Sequence, residues 1–117
     1  MAFQQEVQVA GDPQVYALST ELKRYTLRDL GFRETNAGGF LLERPLDASV
    51  ALARAIKLRM LVNKDLSGFK LSTVNPSGTG NVNIFTNANA AVLTEQYQFQ
   101  INDLIERKVL QKVAVDA

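Results

Sequence analysis

The sequence contains no histidine, no cysteine and no tryptophan. Histidine is the side chain whose unperturbed pKa lies nearest neutrality, so its absence removes the commonest acid–base group of enzymes. Without cysteine the chain has no thiolate nucleophile, no disulfide and no cysteine-ligated metal. We therefore expect no cofactor and no metal site. Whether the protein is an enzyme stays open, with a non-catalytic role favoured.

Length and charge indicate an ordinary globular protein. The 117 residues fit a single domain over residues 1–117, long enough to bury about two-thirds of the unfolded surface. Thirteen basic and twelve acidic residues leave a net charge of +1, which disfavours a nucleic-acid or membrane partner because both usually require a basic surplus. No apolar run approaches the roughly 20 residues of a membrane span. Residues 1–7 lack a signal-peptide pattern, so we expect a cytoplasmic protein.

The first third of the chain predicts a hairpin followed by a helix. Residues 3–9 alternate between apolar and polar positions, and a Gly-Asp-Pro turn at residues 11–13 leads into a strand over residues 15–18. A serine or threonine cap predicts a helix over residues 19–30, with a glycine directly after it. Residues 25–27 could instead be extended.

The next segment predicts a second hairpin and a connection. Residues 32–35 and 40–44 flank the turn at residues 36–39, which is composed of residues that tolerate a positive φ. Proline then ends the hairpin because it cannot donate to a strand ladder. Residues 47–54 are alanine-rich and form a connection with at most one helical turn.

The second half of the chain predicts a three-stranded meander followed by a helix. Strict alternation indicates strands at residues 56–63 and 69–73, and residues 81–86 are expected to form the third strand. Apolar residues spaced by four, four and three then predict a helix over residues 90–108. Residues 109–117 contain enough valines for a short final strand.

Runs of strands punctuated by helices indicate the α+β class. We expect a two-layer fold in which a twisted antiparallel sheet of about six or seven strands carries two main helices on one face. The core between the sheet and the last helix is predicted to contain Leu58, Met60, Leu71, Ile84, Tyr97, Ile101 and Leu104.

Four charged residues fall on the second predicted hairpin: Arg33, Glu34, Glu43 and Arg44. Two carboxylates could perform acid–base chemistry if burial or mutual repulsion raised the pKa of one of them. The adjacent arginines favour cross-strand ion pairs instead.

Three further cations, Lys57, Arg59 and Lys70, are predicted to share the sheet face opposite Leu58 and Leu71. Such a face could hold a phosphate, a carboxylate or an RNA backbone. The aromatic platform of an RNA-binding sheet is missing, so a solvated face is favoured.

Two turns are further candidates for binding. Asn63, Lys64 and Asp65 form one turn and Asn36 begins the other, and both could lie at the same end of the sheet, where loops commonly bind partners. Ordinary Asx-turn chemistry also explains both turns. The glycine-rich stretch at residues 75–80 lacks the lysine and the helix of a phosphate-binding loop, so it is interpreted as a hairpin turn. Phe99 falls on the outer side of the last helix and could anchor a partner.

Five segments together resemble a known family: YTLRD (25–29), GFRETNAG (31–38), LER (42–44), VNKDLSGFK (62–70) and VNIF (82–85). It is a family of small bacterial proteins, common in lactic-acid bacteria, classed as a domain of unknown function and labelled with amino-acid metabolism. The resemblance covers nearly the whole chain. It implies a two-layer α+β fold and, from neighbouring genes, a cysteine desulfurase-like protein partner. It carries over no catalytic or binding residues.

Three functional hypotheses follow. The first is a cytoplasmic, non-catalytic accessory or binding protein linked to amino-acid or sulfur metabolism. The second is a binder of small anionic ligands, or a minor enzyme that uses Glu34 or Glu43 as a base. The third is a weak RNA binder that uses the basic sheet face.

Overall fold

The computed structural model describes residues 3–47, 50–51 and 54–113. This part of the chain folds into seven strands and two α-helices, which confirms the predicted α+β class. In chain order they are β1 (Glu6–Gln8), β2 (Val15–Leu18), α1 (Arg24–Asp29), β3 (Arg33–Glu34), β4 (Phe40–Pro45), β5 (Lys57–Val62), β6 (Phe69–Val74), α2 (Ala90–Glu106) and β7 (Leu110–Val113).

The strands form two antiparallel sheets rather than one continuous sheet. One has the order β1-β2-β7 and the other the order β3-β4-β5-β6. An isolated bridge joins them, since the N–H groups of Gln4 and Phe69 each donate to the other residue's carbonyl oxygen, at 3.0 and 2.9 Å. The chain bends at Gln5, directly after this bridge, and β1 does not pair with β6 along its length.

The hydrophobic core lies where the inner sheet faces meet α2. Four residues of the α2 stripe are buried, namely Leu93, Tyr97, Ile101 and Leu104. They belong to the same buried cluster as the inward-facing residues of β5 and β6. Every residue of the predicted core is buried, so the assignment of the faces is confirmed.

The predicted strand over residues 81–86 is wrong. Asn81 makes only an isolated bridge to Val74, and Ile84–Thr86 form a short 3-10 helix. The side-chain oxygen of Asn83 accepts a 2.9 Å hydrogen bond from the N–H of Phe85. This local bond satisfies a backbone group that a strand ladder would otherwise satisfy.

The first helix is shorter than predicted. Residues 19–23 precede α1, and the hydroxyl of Ser19 accepts a 3.1 Å bond from the N–H of Glu21 in a local turn. Residues 25–27 are helical, so the alternative that they are extended is wrong. Leu27 is the buried residue of α1, whereas Tyr25 is 63% exposed. Gly31 follows the helix with a φ of +93°, as its predicted role in ending the helix requires.

Both predicted hairpins, the strands β5 and β6, the helix α2 and a final strand are present. The predicted connection over residues 47–54 contains residues 48, 49, 52 and 53, which lie outside the described residues, as do residues 114–117 of the predicted tail. Among the described helices, none has the length and apolarity to cross a membrane.

Candidate functional site

The charged residues of the second hairpin do not form one site, because the strands place them on two faces. Glu34 pairs with the buried Phe40, on the core side, and its carboxylate accepts bonds of 2.7 and 3.1 Å from Arg28 of α1. Glu43 pairs with Arg59 on the opposite face. We call that opposite side of the four-stranded sheet, which carries Lys57, Arg59, Leu61, Lys70 and Ser72, the open face.

Glu43 is shared between two guanidinium groups. One carboxylate oxygen lies 3.3 Å from Nε of Arg59, and the other lies 3.7 Å from Arg33. Both carboxylates of the hairpin are therefore paired with arginine. The pairs of Glu43 are cross-strand, as the sequence predicted, whereas Glu34 pairs with Arg28 of α1 instead. A carboxylate whose oxygens are held by cations is poorly placed to accept a substrate proton.

Arg44 holds the fold together rather than facing solvent with the other charges. It donates at 2.6 Å to the side chain of Gln100 in α2 and at 3.2 Å to the carbonyl of Leu30 after α1. Asp103 lies 3.4 Å from the same guanidinium. One side chain thus links β4 with both helices.

The three predicted cations do share the open face, since Arg59 pairs with Ser72 and Leu61 pairs with Lys70. Two of them are bound by the loop over residues 75–80: Lys57 donates at 3.1 Å to the carbonyl of Pro76, and Arg59 donates at 3.1 Å to that of Gly78. Gly78 has a φ of +75°, and a Cβ there would collide with the Arg59 guanidinium. The glycines of this loop therefore allow it to close over the face.

Lys70 has a different environment. Its ammonium group lies 4.7 Å from the ring centroid of Phe3, a cation–π contact. The sequence pattern missed this aromatic neighbour because Phe3 comes from the segment before β1, which the Gln4 bridge brings beside β6. Lys70 makes no ion pair within the described residues.

The two candidate turns lie side by side at one end of the four-stranded sheet. A Cβ added to Gly38 would lie 3.1 Å from the Lys64 side chain. Arg24 of α1 donates at 2.7 Å to the carbonyl of Lys64 and joins the helix to the second turn. We call residues 35–39 and 63–68, with Arg24 and Phe3 beside them, the turn end.

Hydrogen bonds within the second turn fix its shape. The side-chain oxygen of Asn63 accepts from the N–H groups of Ser67 and Gly68, at 2.8 and 3.0 Å. The hydroxyl of Ser67 donates at 2.7 Å to Asp65 and lowers the pKa of that carboxyl. Asn36 lies in the first turn, whose Thr35 hydroxyl accepts a 3.1 Å bond from the N–H of Gly39.

A cavity of about 400 Å³ opens between the two turns. Its walls are mostly apolar, with carbon surface from Phe3, Ala37 and Leu61, and its rim carries Arg24 and Lys64. The structure thus brings Asn63, Lys64 and Asp65 together around one concavity, and it leaves Arg44 and Glu34 elsewhere.

A larger groove of about 640 Å³ runs between β1 and β6. We call it the sheet groove. Its polar wall includes Arg59, Lys70 and Ser72, and its apolar wall includes Val7 and Leu71. Sequence reasoning identified its cations but not the groove, since its two walls come from separate sheets.

A buried polar cluster escaped sequence reasoning altogether. Asp12 is only 3% exposed, and its carboxylate accepts a 2.6 Å hydrogen bond from the Tyr97 hydroxyl and a 2.9 Å bond from the N–H of Gln14. Burial and the neighbouring carboxylate raise the pKa of Tyr16 to about 12, and burial and the hydrogen bond to Asp12 raise the pKa of Tyr97. A tyrosine on the buried stripe of a helix needs a partner for its hydroxyl. That requirement was the sequence feature that could have revealed this cluster.

Metal chemistry finds no support among the described residues, which contain no group of three or more His, Cys, Asp or Glu side chains arranged to hold an ion. Phe99 is 66% exposed, as expected for the outer side of α2.

Comparison with known proteins gives one family and one solved structure. The DUF1831 family, described as "Putative amino acid metabolism", matches residues 1–111. The crystal structure of a DUF1831 family protein from Lactobacillus plantarum is similar to this chain at 41% identity and a TM-score of 0.87, covering 97% of this chain and 99% of that one. No curated protein matches the chain.

Proposed function

The chain belongs to the DUF1831 family, and we propose that it is a cytoplasmic, non-catalytic accessory protein of amino-acid metabolism that binds a partner enzyme through the turn end. The observation that carries this proposal is the apolar cavity of about 400 Å³ between two hydrogen-bonded turns. A concavity of this kind accepts one anchoring side chain of a partner.

The turn end is preorganised for binding. Internal bonds to Asn63 hold one turn, and the Thr35 hydroxyl holds the other. Arg24 fixes the second turn to α1. Binding to such a surface costs little free energy for ordering the turns. More of the contact energy therefore contributes to affinity.

The partner proposed is a cysteine desulfurase-like enzyme, the class that the family resemblance implies. The rim cations Arg24 and Lys64 favour an acidic patch on that enzyme, because complementary charge orients an encounter. An apolar side chain within the patch would enter the cavity.

Titration calorimetry with a purified cysteine desulfurase from the same organism tests this proposal. We expect Lys64→Ala to weaken binding about tenfold and Ala37→Trp, which fills the cavity, to weaken it more. Lys112→Ala is the matched control, because Lys112 is an exposed lysine on β7 at the far edge of the other sheet. Equal affinity of wild type and Ala37→Trp would rule out the turn end, and no binding by the wild type would rule out this partner.

The non-catalytic part of the proposal has a separate test. Glu34 and Glu43 are the carboxylates that sequence analysis considered as bases, and each is paired with an arginine. We expect no turnover that depends on them. A defined reaction by the purified protein that Glu34→Gln or Glu43→Gln abolishes would contradict the proposal.

A further inference from the structure

The cavity at the turn end is lined by charged groups of both signs, namely Arg24, Lys64 and Asp65. Within the part of the chain that the structure describes, the Lys64 ammonium group makes no ion pair, not even with Asp65. The bond from Arg24 to the carbonyl of Lys64 uses one nitrogen of the guanidinium group. Asp65 accepts from the Ser67 hydroxyl through one carboxylate oxygen. Donors and a carboxylate oxygen therefore remain for a ligand in the cavity.

The two charges of the second turn come from consecutive residues. The hydrogen bond from the Ser67 hydroxyl lowers the pKa of the Asp65 carboxyl, and the nearby charge of Arg24 lowers it further, so Asp65 is ionised at neutral pH. The ammonium group of Lys64 belongs to the residue directly before it. A free α-amino acid carries the complementary pair of charges, because a single carbon atom joins its carboxylate to its ammonium group.

The walls beside these charges are apolar. Phe3 is 41% exposed, and it lines the cavity together with Ala37 and Leu61. The volume of about 400 Å³ lies within the range of small-molecule sites, which is about 300–1,000 Å³. An aliphatic side chain placed against these walls would leave water together with the carbon surface that it covers.

The charges on the rim disfavour ligands that carry only one sign. A phosphate or a simple carboxylate would be repelled by Asp65, and an amine without a carboxylate would be repelled by Arg24 and Lys64. A zwitterion with an apolar side chain complements the cations, the carboxylate and the apolar walls together.

We propose that the turn end binds a free α-amino acid with an aliphatic side chain, for which leucine is the probe. Arg24 and Lys64 pair with its carboxylate, and Asp65 pairs with its ammonium group. The side chain packs against Phe3 and Leu61. This inference rests on the proposed function for its consequence, which is regulation, because a bound amino acid occupies the space that the partner's apolar side chain would enter.

Amide NMR spectroscopy of the isotope-labelled full chain with L-leucine tests the site. We expect saturable shifts at residues 35–39 and 63–66, with a dissociation constant on the order of 1 mM because exposed ion pairs contribute little. Isocaproate lacks the ammonium group and isoamylamine lacks the carboxylate, so each should bind about fivefold more weakly than leucine. The absence of saturation with leucine would overturn the proposal, and so would equal affinity for leucine and either analogue.

Two substitutions separate recognition of the ligand from support of the turn. Asp65→Asn keeps an oxygen for the Ser67 hydroxyl but removes the charge, so it should weaken leucine binding about fivefold and leave isocaproate binding no weaker. Lys64→Gln should weaken leucine and isocaproate and leave isoamylamine no weaker. Lys112→Gln, on β7, should change none of the three affinities. An equal loss for all three compounds in Asp65→Asn or in Lys64→Gln would overturn the proposal.

Competition with the partner tests the regulatory consequence. Leucine should weaken binding of the cysteine desulfurase in proportion to the fraction of the cavity that it occupies. The leucine titration itself needs no partner, so the two proposals can fail separately. Partner binding without leucine binding would overturn this inference alone, and leucine binding without partner binding would overturn only the proposed function. Binding of both without competition would overturn the shared cavity.

Discussion

Asp12 and Glu43 are two carboxylates with similar numbers of partners and opposite surroundings. Asp12 is buried and bonded to the uncharged hydroxyl of Tyr97, while Glu43 lies on the open face between two guanidinium groups. Glu43 forms ion pairs with oppositely charged guanidinium groups, but water competes for these groups and screens their attraction. The bond between Asp12 and Tyr97 is buried and has no such competitor. Burial, more than formal charge, therefore decides how much each cluster stabilises the fold.

The largest effect is expected at the buried cluster. Asp12→Ala leaves the Tyr97 hydroxyl and the N–H of Gln14 without their acceptor, so the free energy of unfolding should fall by about 3 kcal/mol. Urea denaturation measures this loss. Asp12→Asn keeps an acceptor oxygen and should lose less. Equal losses for Asp12→Ala and Glu43→Ala would break the comparison.

Alkaline pH should destabilise the same cluster next most strongly. The pKa of Tyr16 is raised from 10.0 to about 12, so the unfolded chain releases this proton before the folded chain does. The free energy of unfolding should therefore be independent of this group below pH 10 and fall by at most about 1.4 kcal/mol per pH unit between pH 10 and 12. Urea midpoints across that range measure the slope. Tyr16→Phe should reduce the slope without abolishing it, because the pKa of Tyr97 is raised as well, and an unchanged slope in that variant would contradict the assignment.

The smallest effect is expected on the open face. Glu43→Gln removes two ion pairs, yet we expect it to change the free energy of unfolding by less than about 1 kcal/mol, because both pairs lie at the surface. Urea denaturation at low and high salt measures the change. A loss that matches Asp12→Ala would show that the open-face network is as strongly coupled as the buried cluster.

The elements predicted well are those whose pattern repeats over several residues. Strand β5 alternates without exception, and α2 keeps its stripe over four buried positions. The segment at residues 81–86 failed because Asn83 satisfies a backbone group locally, and a side-chain bond of this kind leaves no trace in hydrophobic periodicity. The early helix was predicted too long because Ser19 accepts a bond in a turn rather than at a helix start.

The site was predicted only in part. Features formed by segments that are neighbours in the chain were predicted, and features formed by distant segments were not. The two turns could be placed together because β4 and β5 are neighbours in the chain and antiparallel. The sheet groove and the Asp12–Tyr97 bond join distant segments, 85 residues apart in the latter case, and no local pattern specifies them. The single sheet expected from the sequence divides for the same reason, at the bend after Gln4.

The pairing of β2 with β7 has a consequence for biosynthesis. Val15 to Leu18 emerge from the ribosome early, and their partners, Val113 to Leu110, emerge late. At about 5–20 residues per second the N-terminal hairpin waits on the order of five to twenty seconds with one edge uncovered. During that interval the nascent chain exposes a strand edge that other chains can join, which makes the interval a period of aggregation risk.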